Sequence, residues 1–200
     1  MSKHEVIFIL GGPGSGKGTQ CTILENKYDI KHISVGDLLR AEKLKKPPSK
    51  YGSLINKYLS QGMILPVQIT LKVILSEMEK YPKSKLFLID GFPRNKDNID
   101  GWNEVMKDKC NVNLIIYYEC CRNTMISRIK KRSLEVKRED DSSEIINKRL
   151  DIYYNDSVPI IEYYKSKNMV ITINSDNQPI DCINKMTEEK ILPFLDSRLK

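Results

Sequence analysis

The stretch Val6-Ile7-Phe8-Ile9-Leu10-Gly11-Gly12-Pro13-Gly14-Ser15-Gly16-Lys17-Gly18-Thr19 decides how this chain reads. Its apolar opening, mostly β-branched or aromatic, predicts a buried strand. The glycines at 11, 12, 14, 16 and 18 allow a tight turn and bring backbone N–H groups close to a ligand. A helical pattern then runs from Lys17 to Tyr28. A strand feeding a glycine loop that opens a helix makes a nest for a polyphosphate, with Lys17 reaching the outer phosphates. Gly11-x4-Gly16-Lys17 fits the phosphate-loop spacing, but Gly18 follows where a Ser or Thr would offer its hydroxyl to Mg²⁺. Thr19 comes one place later, which shifts the metal toward waters and carboxylates.

The composition bounds the rest. A chain of 200 residues suits one domain with a substantial core, and 30% charged with 40% apolar residues is globular. The net charge of +7 favours anionic partners without choosing among nucleotides, nucleic acids and acidic membranes. Cys21, Cys110, Cys120, Cys121 and Cys182 are odd in number and form no CxxC pair, so reduced, mostly buried thiols are expected. Met1–Glu5 leads straight into the first strand, with no signal-peptide or transmembrane-length run. His4 and His32 stand isolated and read as neither ligand nor base.

Strands are predicted near 5–10, 31–34, 86–90, 112–119 and 169–173. Continuous apolar runs such as Leu86-Phe87-Leu88-Ile89 and Leu114-Ile115-Ile116-Tyr117 suit a parallel sheet covered on both faces. Helices are predicted over about 17–28, 36–44, 50–61, 67–80, 97–108, 122–132, 143–157, 159–167 and 180–198, with Pro159 opening a new segment. Two excursions interrupt the alternation. One, about 35–65, includes the Lys45-Lys46-Pro47-Pro48 break; the other, about 133–142, is short and charged. Loops that flank a phosphate site in this way act as lids.

Asp90-Gly91-Phe92-Pro93-Arg94 leaves a buried strand at the end where ligands collect in open α/β sheets. Asp90 can position hydrated Mg²⁺, and Arg94 can fork onto a phosphate. Ser34-Val35-Gly36-Asp37-Leu38-Leu39-Arg40 also leaves a strand through a glycine. Arg128 and Arg132 lie one turn apart with Lys130 and Lys131 between, and Arg138 and Arg149 follow beyond Asp140 and Asp141. Like charges so spaced repel, so an anion is expected among them. A nucleoside triphosphate with a monophosphate carries roughly −6, and Mg²⁺ offsets about +2. Lys17, Arg40, Arg94, Arg128, Arg132, Arg138 and Arg149 would supply seven positive charges, which suits holding two phosphorylated substrates end to end. Phosphoryl transfer needs in-line positioning and charge stabilisation, not a protein nucleophile.

Gly11–Gln20, His32–Arg40, Asp90–Trp102, Arg128–Asp141 and Lys148-Arg149 together resemble the adenylate kinase-like nucleoside monophosphate kinase family, and within it the UMP-CMP kinase branch. The resemblance covers about residues 5–195. It implies an α/β P-loop three-layer sandwich with a five-stranded parallel sheet. The core would be 1–33, 66–131 and 142–200, with a helical NMP-binding flap over 34–65 and a short lid over 132–141. It implies transfer of the γ-phosphoryl group of Mg-ATP to CMP, UMP or dCMP in pyrimidine nucleotide biosynthesis. Gly14, Ser15, Gly16, Lys17, Gly18, Thr19, Arg128, Arg132 and Asn177 would bind ATP. Ser34, Val35, Arg40, Met63, Ile64, Leu65, Gly91, Phe92, Pro93, Arg94, Asn98, Arg138 and Arg149 would bind the acceptor. Lys17, Arg94, Arg132, Arg138 and Arg149 would act in the transfer, and Asp90 would hold the metal through water. The expected partners are ATP and a monophosphate, with no nucleic acid or membrane; a monomer of the cytoplasm is expected, the nucleus being open to it.

Base choice rests on two positions. Adenylate kinases usually carry Thr where this chain has Val35 and Gln where it has Asn98; the shorter amide suits a pyrimidine. Val35 is bulkier than the Ala usual in the pyrimidine branch, and AMP remains the alternative acceptor. Ser133 and Lys137 stand where the family has lid glycines, and Glu139 replaces a small residue. Two other classes compete. Asn26-Lys27-Tyr28-Asp29 fits a guanine-reading pattern but falls inside the first helix, and the charge would fit an RNA binder but no stacking-aromatic motif appears.

Overall fold

The structure, a computed structural model, describes residues 3–46, 49–136 and 138–198. Met1, Ser2, the Pro47-Pro48 break and Lys137 lie outside the described residues. The strands are β1 His4–Gly11, β2 Lys31–Ser34, β3 Leu86–Asp90, β4 Cys110–Glu119 and β5 Val170–Asn174. They form one five-stranded parallel sheet in the order β2-β3-β1-β4-β5.

The continuous apolar runs are alternating patterns with both faces covered. In β1, Val6, Phe8 and Leu10 enter one core layer and Ile7 and Ile9 the other. Phe8 meets Trp102 edge to face, centroids 4.9 Å apart. On the opposite face Ile7 and Ile9 share a layer with Cys21 and Leu24 of α1 (Lys17–Lys27) and Ile191 of α9 (Ile180–Arg198). This is a three-layer sandwich.

The order of strands places the site. The chain builds β2 and β3 on one side of β1, then crosses to β4 and β5 on the other. The switch occurs at the carboxyl end of β1, where the glycine loop begins, and such switch points open a crevice for a ligand. Register brings the neighbouring strand ends level: Ile9 pairs with Asp90, and Ser34 pairs with Asp90 from the other side.

The remaining helices are α2 Val35–Lys43, α3 Gly52–Ser60, α4 Val67–Met78, α5 Lys96–Val105, α6 Arg122–Glu135, α7 Ser143–Ile152 and α8 Val158–Lys165. Side-chain caps from Ser34, Asn95 and Ser142 start α2, α5 and α7. Two boundaries differ from expectation. α6 runs through Arg132 to Glu135, so the first part of the 132–141 segment is helix, followed by a 3₁₀ turn over Glu139–Asp141. The expected break before Pro159 is a π turn, Tyr153–Ser157, that joins α7 to α8. Pro159 does sit in the first turn of α8, where its missing N–H costs nothing. All five cysteines are free; Cys21, Cys110 and Cys120 are buried, Cys121 and Cys182 exposed. Among the described residues no helix is long and apolar enough to cross a membrane.

Candidate active site

The glycine loop is shaped by backbone that other residues resist. Gly14 and Gly16 have φ of 81° and 90°, in the left-handed region. Gly16 is also the N-cap of α1 and supplies no side-chain cap, so the first N–H groups of that helix are left for a ligand. A Cβ on Gly14 would fall 2.5 Å from the Met125 carbonyl oxygen. Gly14→Ala is therefore expected to cost about 1–3 kcal/mol of stability, measured by urea unfolding, and to weaken binding of a polyphosphate at the loop, measured by titration.

Lys17 Nζ donates to the Gly12 carbonyl at 3.0 Å, folded back over the loop it serves. Burial lowers its pKa; the Asp90 charge opposes that, and the Arg94 and Arg149 charges add to it. Asp90 is buried at the end of β3, and a Cβ on Gly18 would lie 3.4 Å from its Oδ2. Its Oδ1 is buried without a hydrogen-bond partner among the described residues. An orphaned carboxylate oxygen at the first turn of α1 fits a water of hydrated Mg²⁺. The described residues contain no group of three or more His, Cys, Asp or Glu able to hold a metal. His32, read from sequence as isolated, is corrected here: its Nε2 lies 3.8 Å from Asp90 Oδ2, because register carries β2 beside β3.

Arg128 bridges the loop to the far edge of the sheet. Its Nη2 donates to the Ser175 carbonyl at 2.8 Å, and its Nη1 to the Ser15 carbonyl at 3.5 Å. Asn177, with φ of 48°, accepts from Thr124 Oγ1 at 3.0 Å in the same turn. Arg128 thus ties the phosphate loop to the turn that carries Asn177. Thr19 is exposed at the start of α1.

The expected anion among the arginines is in part protein. Asp37 accepts from Arg40 Nη2 at 2.6 Å and from Arg138 Nη2 at 3.3 Å. Asp140 lies 2.9 Å from Arg149 Nη1 and 3.7 Å from Arg40 Nη1. Asp141, almost fully buried, accepts from Arg132 at 2.7 Å and Arg149 at 3.1 Å. Partial burial works against the Asp37 carboxylate, but Arg40 and Ser34 outweigh it and hold its pKa below the usual value. Burial lowers Arg138, with the Arg40 and Arg132 charges adding.

Arg94 is different. Its Nε donates to the Gly91 carbonyl at 2.8 Å, and no hydrogen bond among the described residues uses its Nη groups. Burial, reinforced by the Arg149 charge, pushes its pKa down to about 10, so it stays protonated at neutral pH. The fork is fixed and unspent.

Arg94 opens into a cleft lined also by Val35, Arg40, Met63, Ile64, Leu65, Gly91, Phe92, Asn98 and Arg149. Ser34, Pro93 and Arg138 are not among its lining residues. Ser34 is instead spent on capping α2, and its hydroxyl donates to Asp37 at 2.7 Å. Pro93 follows Phe92 through a cis peptide bond. Asn98 Oδ1 accepts the Arg94 N–H at 3.0 Å, which leaves Nδ2 as the amide's free donor at the cleft wall. Leu39, Leu59, Gly62, Thr70 and Asp140 also line the cleft and were not read from sequence. Asp140 was visible as part of a charged turn; nothing in the pattern marked Thr70.

A phosphate nest at a sheet switch point, faced by a second cleft rimmed with arginines, defines a nucleoside monophosphate kinase. The adenylate kinase family model matches residues 9–169. The UMP-CMP kinase of Bos taurus is 42% identical over 177 residues, covering 86% of this chain and 90% of that protein. Those of Homo sapiens and Gallus gallus are 39% and 38% identical over 190 residues, each covering 93% of this chain and 96% of the relative. The chain belongs to the adenylate kinase family.

Proposed function

We propose that this protein transfers the γ-phosphoryl group of Mg-ATP to CMP or UMP, giving the diphosphate and ADP. The observation that carries this reading is the unspent Arg94 fork between the phosphate nest and the second cleft. An oxygen of the acceptor's phosphate forms the new bond to γ-phosphorus as the bond to the β,γ-bridging oxygen breaks and ADP leaves. Lys17 and the loop N–H groups hold the donor phosphates. Arg94 and Arg149 hold the acceptor phosphate and screen the group in flight, with Arg40 beside them. Arg132 and Arg138 complete the screen from the 132–141 lid, as the 34–65 flap closes over the acceptor. Asp90 would hold Mg²⁺ through water, and the ion would supply charge neutralisation to the donor phosphates.

For the base, Asn98 is the deciding group. The Arg94 N–H fixes its amide so that Nδ2 donates. Both pyrimidines offer acceptors to that donor, N3 or O2 of cytosine and a carbonyl oxygen of uracil, and the shorter side chain leaves their edges in reach. The similarity to UMP-CMP kinases supports the same choice. The protein works as a monomer of the cytoplasm, with the nucleus open to it.

ADP release with CMP, UMP, dCMP and AMP as acceptors tests this directly. CMP and UMP are expected to exceed AMP in kcat/KM by roughly tenfold or more. AMP as the best acceptor would overturn the base assignment; no turnover with any acceptor would overturn the reaction itself.

A further inference from the structure

Arg94 is held at more points than its side chain shows. Its N–H donates to Asn98 Oδ1 at 3.0 Å, and its carbonyl accepts from Ser157 Oγ at 2.9 Å. Ser157 is the last residue of the π turn Tyr153–Ser157, closed by the Val158 N–H bonding the Tyr153 carbonyl. π turns inside helices cluster at functional sites because they re-aim the side chains beyond them. In an unbroken α-helix of about 3.6 residues per turn, Ser157 would lie about 80° around from Arg149. A wider turn rotates less per residue and brings both to one side. Arg149 then lines the cleft beside Arg94 while Ser157 takes the Arg94 backbone.

The other end of the turn is anchored under the donor site. Tyr153 is 5% exposed, and its hydroxyl lies 3.0 Å from that of Tyr117 on β4. Its ring fills the space beneath the glycine loop, where a Cβ on Gly12 would come 3.2 Å from Tyr153 Cδ1. One wide turn therefore touches the phosphate loop at its start and the acceptor arginine at its end.

We propose that Ser157 is a positioning residue for phosphoryl transfer: its hydroxyl, aimed by the π turn, fixes the Arg94 backbone and so sets where that guanidinium meets the transferring group. This rests on the reaction proposed above. Small displacements of such a group are costly, since about 1 Å of misplacement can lose 10²-fold in rate.

Steady-state kinetics with Mg-ATP and CMP, at a temperature where melting curves show each variant folded, test the proposal. Ser157→Ala is expected to lower kcat roughly tenfold with KM for ATP changed less than about twofold, and Ser157→Thr to restore kcat to within about twofold. Because Ser157 acts through Arg94, adding Ser157→Ala to Arg94→Ala should cost less than about a further twofold. An active wild type with Ser157→Ala at full kcat, a lowered Tm with no change in kcat, or equal losses in both backgrounds overturns the proposal alone. A wild type that phosphorylates no monophosphate overturns the underlying reaction and this proposal with it.

Discussion

Arg94→Ala lowers kcat by about 10²–10³ while the protein stays folded. The guanidinium is half-buried, protonated and oriented by Gly91, with both Nη groups unspent. It therefore needs no reorganisation when charge develops on the moving phosphoryl group, and that is where preorganised donors contribute most. Its loss should depress kcat and kcat/KM together, the signature of an interaction made in the transition state. Stability should change little, because partial burial and the Arg149 and Arg40 charges disfavour the guanidinium while Asp90 and Asp140 favour it. Stopped-flow single turnovers and a melting curve on the same sample separate the two effects. Near-normal turnover would remove Arg94 from the chemistry.

Lys17→Met should be more severe, roughly 10³-fold or more in kcat, because in the proposed reaction the lysine would neutralise charge on the bond that breaks. The substitution also has a signature without nucleotide. Burial lowers the Lys17 pKa below its unfolded value. Between those two values the unfolded chain binds the extra proton, so wild-type stability rises with pH there. Below that window the wild type carries the full cost of a buried ammonium. The nucleotide-free Lys17→Met protein is therefore expected to melt higher than wild type at neutral pH. The gap should narrow as pH climbs through the lowered Lys17 pKa toward its unfolded value. Bound ATP should reverse the order by pairing the ammonium. Parallel melting curves with and without ATP check both signs.

Much of this was legible in the chain. The inner strands were, because a parallel sheet covered on both faces demands uninterrupted apolar runs, and Val6–Leu10 and Leu86–Ile89 are such runs, whereas the edge strand β2, Lys31–Ser34, was read with only one buried apolar residue to mark it. The glycine loop was, because its spacing answers to phosphate geometry. Partnerships between distant segments were less so. Asp37 and Arg138 are far apart in sequence and meet only in the fold. His32 gains its neighbour Asp90 through strand register, which no local pattern carries. The π turn was hidden because Pro159 gives the same signal whether a helix stops before it or merely widens.

Asp37, Asp140 and Asp141 give substrate capture an unusual character. Four of the arginines already hold carboxylates, so a phosphate that settled on Arg40, Arg132, Arg138 or Arg149 would displace a tenant, whereas the Arg94 fork stands open. Capture is then a swap of one anion for another, and its strength is the difference between two similar grips. The displaced carboxylates stay tethered within reach, ready to reclaim the arginines when the diphosphate departs. A turnover enzyme benefits from such a landlord, since bare cations of this number would hold their product too long.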